Sequence, residues 1–272
     1  MTGVPVTGIV ESAVAAQRLE GWEPAPEDLA ALTSLADQQW SMTDYLGYCR
    51  RRHRDDDGGG PASASMFARR QPYLIRGTDV LENSLGLRTA RVLASAEHAI
   101  SAGRTVQLLQ RPPSTVTPRD VHRQLFADVY AWAGEPRVTG ISKGGTAFAA
   151  VHEVHDGLLR VQRDIDEAWA CATGYDDAAL TYRLARIYVD LNAVHPFREG
   201  NGRTGTTVLQ LIAGRSDRRL ALDRVSRREW VDASRASLAG GPLPDPEPVR
   251  TLLAADRVVR HAACCTPTTR MS

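Results

Sequence analysis

One ten-residue run constrains this chain more than any other stretch: His195-Pro196-Phe197-Arg198-Glu199-Gly200-Asn201-Gly202-Arg203-Thr204. An apolar helical segment from Ala185 to Val194 leads into it and is predicted to end at Pro196, which cannot continue a helix. Two glycines then flank Asn201, allowing a tight backbone path and close approach of a ligand to main-chain N–H groups. The next helix begins near Asn201, so its unpaired N–H groups and positive dipole end face the turn. That arrangement suits a phosphate. Arg203 on the first helical turn can add charge-assisted hydrogen bonds to an anion. Glu199 offers the hard oxygen that a magnesium ion on nucleotide phosphates takes. His195 has an imidazole able to accept a proton near neutral pH. Singly, a histidine before a proline, a Gly-Asn-Gly turn and an arginine at a helix start are ordinary. Together in one turn they supply a base, a metal carboxylate and a phosphate cradle.

The rest of the chain reads as helical. Helical spacing of apolar residues covers 87–103, 118–132, 152–170, 176–193, 201–213, 226–238 and 247–263. Period-two alternation is scarce, and the Gly-rich stretch 137–150 is the one candidate hairpin. The expected fold class is therefore all-α with a small β-hairpin. Upstream, 11–20, 26–36 and 41–52 read as three short helices. Gly21 and Pro24 stop the first, and Pro26-Glu27-Asp28 starts the second. A unit of that size buries little apolar surface alone and is expected to lean on a partner. The predicted organisation is an N-terminal helical unit at 1–54, a Gly-, Ala- and Ser-rich linker at 55–70, a main domain at 71–256 and a tail at 257–272.

Composition narrows the function classes. Charged residues make up 24% of the chain and the net charge is +1, which gives no electrostatic case for nucleic acid or an anionic membrane. The basic cluster Arg50-Arg51-Arg52-His53-Arg54 is followed at once by Asp55-Asp56-Asp57 and reads as a solvated edge. No run of about 18 apolar residues occurs, and the N-terminus lacks the pattern of a secretory signal. Cys49, Cys171, Cys264 and Cys265 form no regular spacing. A reduced, cytoplasmic protein is the expectation.

The run at 195–204 resembles the motif of the Fic (filamentation induced by cAMP) family, His-x-Phe-x-Asp/Glu-Gly-Asn-Gly-Arg-x-x-Arg. The segments Asp79 to Leu87, Leu125 to Gly134 and Ile141 to Phe148 resemble the same family, so the likeness spans about 73–238. The resemblance implies a helical Fic fold and transfer of AMP from ATP to a Ser, Thr or Tyr hydroxyl of a target protein. It implies that His195 deprotonates that hydroxyl and that Phe197 anchors the loop. Glu199 is implied to hold Mg²⁺; Gly200, Asn201 and Gly202 cradle phosphate, with Asn201 touching it; Arg203 stabilises the leaving pyrophosphate. Ile141, Ser142, Lys143, Gly144 and Phe148 match the family's flap, a hairpin that holds the target by strand addition. Related toxins modify type II topoisomerase subunits, which admits such subunits as targets. One departure stands out: the motif's second arginine is Thr206 here, whose hydroxyl cannot replace a guanidinium fork. Arg215, Arg218 and Arg219 lie further along the same segment.

The stretch 15–24 resembles the small antitoxins that block Fic toxins through a helix bearing Ser/Thr-x-x-x-Glu-Gly/Asn. Glu20-Gly21 matches, while Ala16 stands where the hydroxyl residue would be. Glu20 ends a helix, where the dipole disfavours negative charge by roughly 0.3–1 kcal/mol, so it gains from a cationic partner. The resemblance implies a fused antitoxin and toxin in which Glu20 approaches the nucleotide site and reaches toward Arg203. Tethering would raise the local inhibitor concentration to the order of millimolar. Two other readings remain open: the same fold moving another nucleotide or a phosphoryl group, and a degenerate domain kept for binding.

Overall fold

The computed structural model describes residues 6–56, 72–143, 146–239, 243–253 and 258–260. The linker expected at 55–70 and most of the C-terminal tail lie largely outside these residues. The described residues are predominantly helical. Three helices come first: α1 (Val6–Leu19), α2 (Pro26–Ala36) and α3 (Met42–Asp56). There follow α4 (Ala90–Gln110), α5 (Pro118–Phe126), the hairpin β1 (Ser142–Lys143) and β2 (Thr146–Ala147), and α6 (Val154–Cys171). Next come α7 (Asp177–Val194), α8 (Asn201–Arg215), β3 (Arg218–Leu220), α9 (Arg227–Ala239), α10 (Glu247–Leu253) and β4 (Val258–Arg260).

Local chemistry sets the helix starts that matter for the site. Thr117 caps α5 by accepting the Asp120 N–H, with Pro118 at the first helical position. Asp176 caps α7 through a 2.7 Å bond from the Ala179 N–H. Helix α8 has no side-chain cap; Gly200 precedes it at φ +79°. Its first N–H groups therefore remain available to whatever faces the turn. Both α4 and α8 are buried on nearly every side, which makes them the central pair of the core.

Helix α1 is built into that core. Ile9, Ala13, Val14, Ala16 and Leu19 are buried, and the helix packs on α4, α8 and α9. Burying its larger side chains contributes about 1.5–3 kcal/mol each. Its one buried amide is satisfied at the carbonyl end: Gln17 Oε1 accepts from His98 Nδ1 (2.8 Å) and Ser101 Oγ (3.2 Å). Trp22 stacks on the same His98 ring, and burial pulls that imidazole down to about 2.

Several elements end elsewhere than expected, α1 beginning at Val6 rather than 11 and α5 stopping at Phe126 rather than 132, and two further departures have a visible cause. Helix α4 starts at Ala90 rather than 87 and runs on to Gln110. Asn83 holds the Leu87 backbone from both sides, with Leu87 N–H donating to Oδ1 and Nδ2 donating to Leu87 O, so the chain turns before the helix begins. Gly103 does not interrupt the helix, because Tyr45 of α3 packs where a side chain would stand; a Cβ there would lie 2.2 Å from Tyr45 Cε1. The second departure is at the C-terminal end. Helix α10 stops at Leu253, and 258–260 pair antiparallel with 218–220, Val258 opposite Leu220. A second two-stranded sheet thus replaces the helix expected to 263.

Candidate active site

The turn between α7 and α8 forms the floor of a 620 Å³ cavity. His195 ends α7 in the left-handed region, φ +45° and ψ +62°, with its N–H still bonded to Leu191 O. That conformation is uncommon for a non-glycine residue and turns the imidazole into the cavity. Its Nδ1 lies 3.3 Å from Asn192 O. A carbonyl only accepts, so Nδ1 carries the proton and Nε2 keeps the basic lone pair. The Phe148 ring stacks on the imidazole at 3.7 Å between centroids.

Beyond His195 the turn is braced from inside. Phe197 is fully buried and stacks on His122 at 3.9 Å. Asn201 closes the loop, its Oδ1 accepting the Phe197 N–H and its Nδ2 donating to Phe197 O, both at 2.9 Å. Both polar atoms of the Asn201 side chain thus brace the backbone of the turn expected to cradle phosphate. His122, 0% exposed, donates Nε2–H to Glu199 O (3.0 Å) and accepts the Gly134 N–H at Nδ1 (2.7 Å). Burial lowers this imidazole to about 3, with the nearby Arg203 and Arg123 charges acting in the same direction. Gly200 is required twice over: its φ is +79°, and a Cβ would fall 2.4 Å from the Phe126 ring.

The Glu199 side chain, 45% exposed, lines the cavity; its Oε1 accepts the Gly200 N–H at 3.0 Å and lies 3.5 Å from Arg203 Nη2. Arg203 itself is set behind the cavity wall, 4% exposed, paired with Glu97 and stacked over Phe126 at 4.8 Å. Burial alone would lower its affinity for the proton, but the Glu97, Glu199 and Glu20 charges outweigh that and raise it. Tyr130 donates to the other oxygen of Glu97. The arginine expected to face a leaving pyrophosphate is thus locked into an internal ion pair. Neither Glu97 nor Ser101, a further neighbour of Arg203 at 3.4 Å, carries a sequence signal.

Thr206 confirms in three dimensions the lost guanidinium. It is 1% exposed, and its hydroxyl donates back to Gly202 O and Arg203 O, each at 3.1 Å. The later arginines do not replace it: Arg215 lies over Trp169, Arg218 pairs with Asp177, and Arg219 pairs with Asp223 and Glu11.

Glu20 does reach the site. Its carboxylate lies against the first turn of α8, so close that a Cβ on Gly202 would fall 1.8 Å from Oε1. It lines the cavity together with His195, Glu199, Gly200, Asn201 and Gly202. The ion-pair partners of Arg203 are Glu97 and Glu199, so Glu20 acts on it through its charge. Gly21, φ +100°, makes the turn after α1 with the Arg227 guanidinium against its Cα, where a Cβ would lie 3.0 Å from Cζ. Of the hairpin residues, Ile141, Ser142 and Phe148 line the cavity; Gly144 and the Lys143 side chain lie outside the described residues. The far end of the cavity, formed by Tyr188, Trp230, Ser234 and Leu238, carries no local pattern in the sequence.

Residues 114–213 match the model of the Fic/DOC family. The chain is 28% identical over 173 residues to "Probable protein adenylyltransferase Fic" of Escherichia coli K12, covering 63% of this chain and 86% of that protein. It is 31% identical over 173 residues to protein adenylyltransferase VbhT of Bartonella schoenbuchensis, covering 62% of this chain and only 36% of that longer relative. Its fold is that of the N-terminal Fic domain of an effector from Bartonella sp. AR 15-3, TM-score 0.62 at 19% identity, covering 68% of this chain and 90% of that one. A second match is a Fic domain from Bartonella quintana solved with bound ADP, TM-score 0.60 at 20% identity, covering 70% and 95%.

Proposed function

We propose that this chain, which carries a Fic domain, is a protein adenylyltransferase that moves AMP from ATP to a hydroxyl of a target protein. The observation that carries this reading is the joint presence, on one turn, of a left-handed His195 that faces the cavity with Nδ1 turned to the Asn192 carbonyl, and of the α8 N-terminus behind Gly200.

In the proposed step, the target hydroxyl gives its proton to His195 Nε2 while its oxygen attacks the α-phosphorus. An O–P bond forms, the bond from the α-phosphorus to the bridging oxygen breaks, and pyrophosphate leaves with the electron pair. The first N–H groups of α8 and the glycines of the turn hold the phosphate oxygens. Arg203, fixed by Glu97, adds positive charge from below without leaving its ion pair. Magnesium fits the donor set. Glu199 is a half-exposed carboxylate on the cavity floor, and this ion is usually held by one or two carboxylates with substrate phosphates. When bound it would neutralise phosphate charge. The β1–β2 hairpin would hold the target backbone, with Ile141, Ser142 and Phe148 lining the cavity together with His195.

The Glu20 carboxylate over Gly202 supports autoinhibition, because a bound phosphate and this carboxylate compete for one helix N-terminus. Position 206, where the Fic motif carries its second arginine, is Thr206 here and offers Glu20 no cation. The chain would then be a fused toxin and antitoxin acting in the cytoplasm; type II topoisomerase subunits are the first targets to screen.

The test is incubation of parent, Glu20→Gly and His195→Ala chains with cell lysate, Mg²⁺ and ATP labelled at the α- or γ-phosphate. Transfer of α-label that requires His195 and rises in Glu20→Gly is expected. γ-Label on protein would favour phosphoryl transfer, and labelling indifferent to His195→Ala would refute this site. Equal labelling by parent and Glu20→Gly would remove the inhibitory half alone.

A further inference from the structure

Arg137 is 2% exposed, and among the described residues its guanidinium is held by backbone carbonyls, with no carboxylate as a bonding partner. Those carbonyls come from three separate pieces of chain. Nη1 donates to Thr139 O (2.9 Å), where the chain enters the hairpin. Nη2 donates to Ala149 O, where the chain leaves it, and to Val194 O (3.3 Å) at the end of α7. Nε donates to His195 O at 2.8 Å. Two main-chain bonds close the same junction: Arg137 N–H to Pro196 O (2.7 Å) and Ala149 N–H to Ala193 O (3.1 Å).

The fork geometry explains why arginine stands here. Several N–H groups in one rigid plane meet carbonyls pointing from different directions, which a lysine ammonium on a flexible stem cannot reproduce. The last carbonyls of α7 carry the negative end of its dipole and lack partners within the helix, so a buried cation satisfies both. One of them belongs to His195, whose left-handed backbone needs surrounding structure to persist. The other end of the clamp fixes the base of the hairpin that carries Phe148 onto the imidazole.

We propose that Arg137 is a positioning residue that locks the hairpin to the catalytic turn, so that holding the target and aiming the His195 imidazole are one mechanical event. This rests on the reading of His195 as the base and the hairpin as the docking flap. The phosphate cradle on α8 is braced separately, through His122, Asn201 and Glu97, and does not depend on this clamp.

The experiment compares full-length parent, Arg137→Gln and Arg137→Lys chains. Hydrogen exchange across 138–150, the nitrogen NMR signals of the His195 imidazole, melting temperature, calorimetric ATP binding with Mg²⁺, and transfer of α-label to lysate protein are measured. In Arg137→Gln, exchange across 138–150 should quicken by about tenfold or more while α4 and α8 are unmoved. The His195 signals should shift away from the single Nδ1–H tautomer, ATP affinity should stay within about twofold, and transfer should fall on the order of 10²-fold. Arg137→Lys should fall between the two. Unchanged exchange and imidazole signals overturn the proposal. So does parallel loss of melting temperature and ATP affinity in both variants, which would make Arg137 general scaffold. If the parent itself transfers no label, the adenylylation reading fails, while exchange and NMR still decide the role of Arg137.

Discussion

His122 offers a prediction whose size follows from the structure. Its imidazole is fully buried, donates to Glu199 O and accepts from Gly134 N–H, and is held down to about 3. In the unfolded chain it titrates near 6.5. Between those two values the unfolded state binds a proton that the folded state refuses, so stability is complete above pH 6.5 and falls as pH drops below it. At pH 5.0 the unfolded state gains about 2 kcal/mol from protonating this one residue, against less than about 0.1 kcal/mol at pH 7.5. The perturbation is His122→Gln, whose amide can donate to Glu199 O and accept from Gly134 but takes up no proton. Urea unfolding of parent and variant at pH 7.5 and pH 5.0 gives four free energies. Every other titrating group, His98 included, contributes alike to both chains, so the difference of differences isolates His122. The parent should lose about 2 kcal/mol more than the variant between the two pH values. Identical pH slopes in the two chains would refute the reasoning, whatever the variant's stability at pH 7.5.

Gly200→Ala should destabilise the chain by about 2–4 kcal/mol in urea unfolding, from a left-handed backbone plus a methyl driven into the Phe126 ring. Glu97→Ala should cost about 3–5 kcal/mol because it strands the buried Arg203 charge, and a loss under about 1 kcal/mol would show that the pair is dispensable. Tyr45→Phe removes the bond to Ala99 O without altering the packing on Gly103, and should lower stability by about 1 kcal/mol in thermal unfolding.

How much of this was legible in the sequence differs by element. The turn 195–204 announces itself because its chemistry is consecutive, and Glu20-Gly21 is read from a match of the same local kind. Helix identity is also local, so helical segments are found with ends displaced. The start of α4 shifts to Ala90 because the Asn83 side chain captures Leu87, a contact that periodicity does not encode. The β3–β4 pair escapes because three-residue strands are too short to show alternation and their pairing spans about forty residues. Arg203 is named from its place in the motif, but the orientation of its side chain depends on Glu97, 106 positions away, which no local pattern encodes. Arg137 fails for a related reason. Its partners are carbonyls, which every residue possesses, and nothing in a composition distinguishes the ones that matter.

The embedding of α1 has a consequence for any switch that frees the cavity. Ile9, Val14 and Leu19 cannot leave the core without exposing the apolar faces of α4, α8 and α9 to water. An inhibitor of separate origin comes off on dilution or when its supply is degraded; a helix woven into the protein does neither. On the proposed autoinhibition, whatever clears Glu20 from Gly202 would have to work within the last turn of α1 and the Gly21 bend, by swinging one carboxylate aside or neutralising it. Its onset would be independent of protein concentration and would leave the melting temperature nearly untouched.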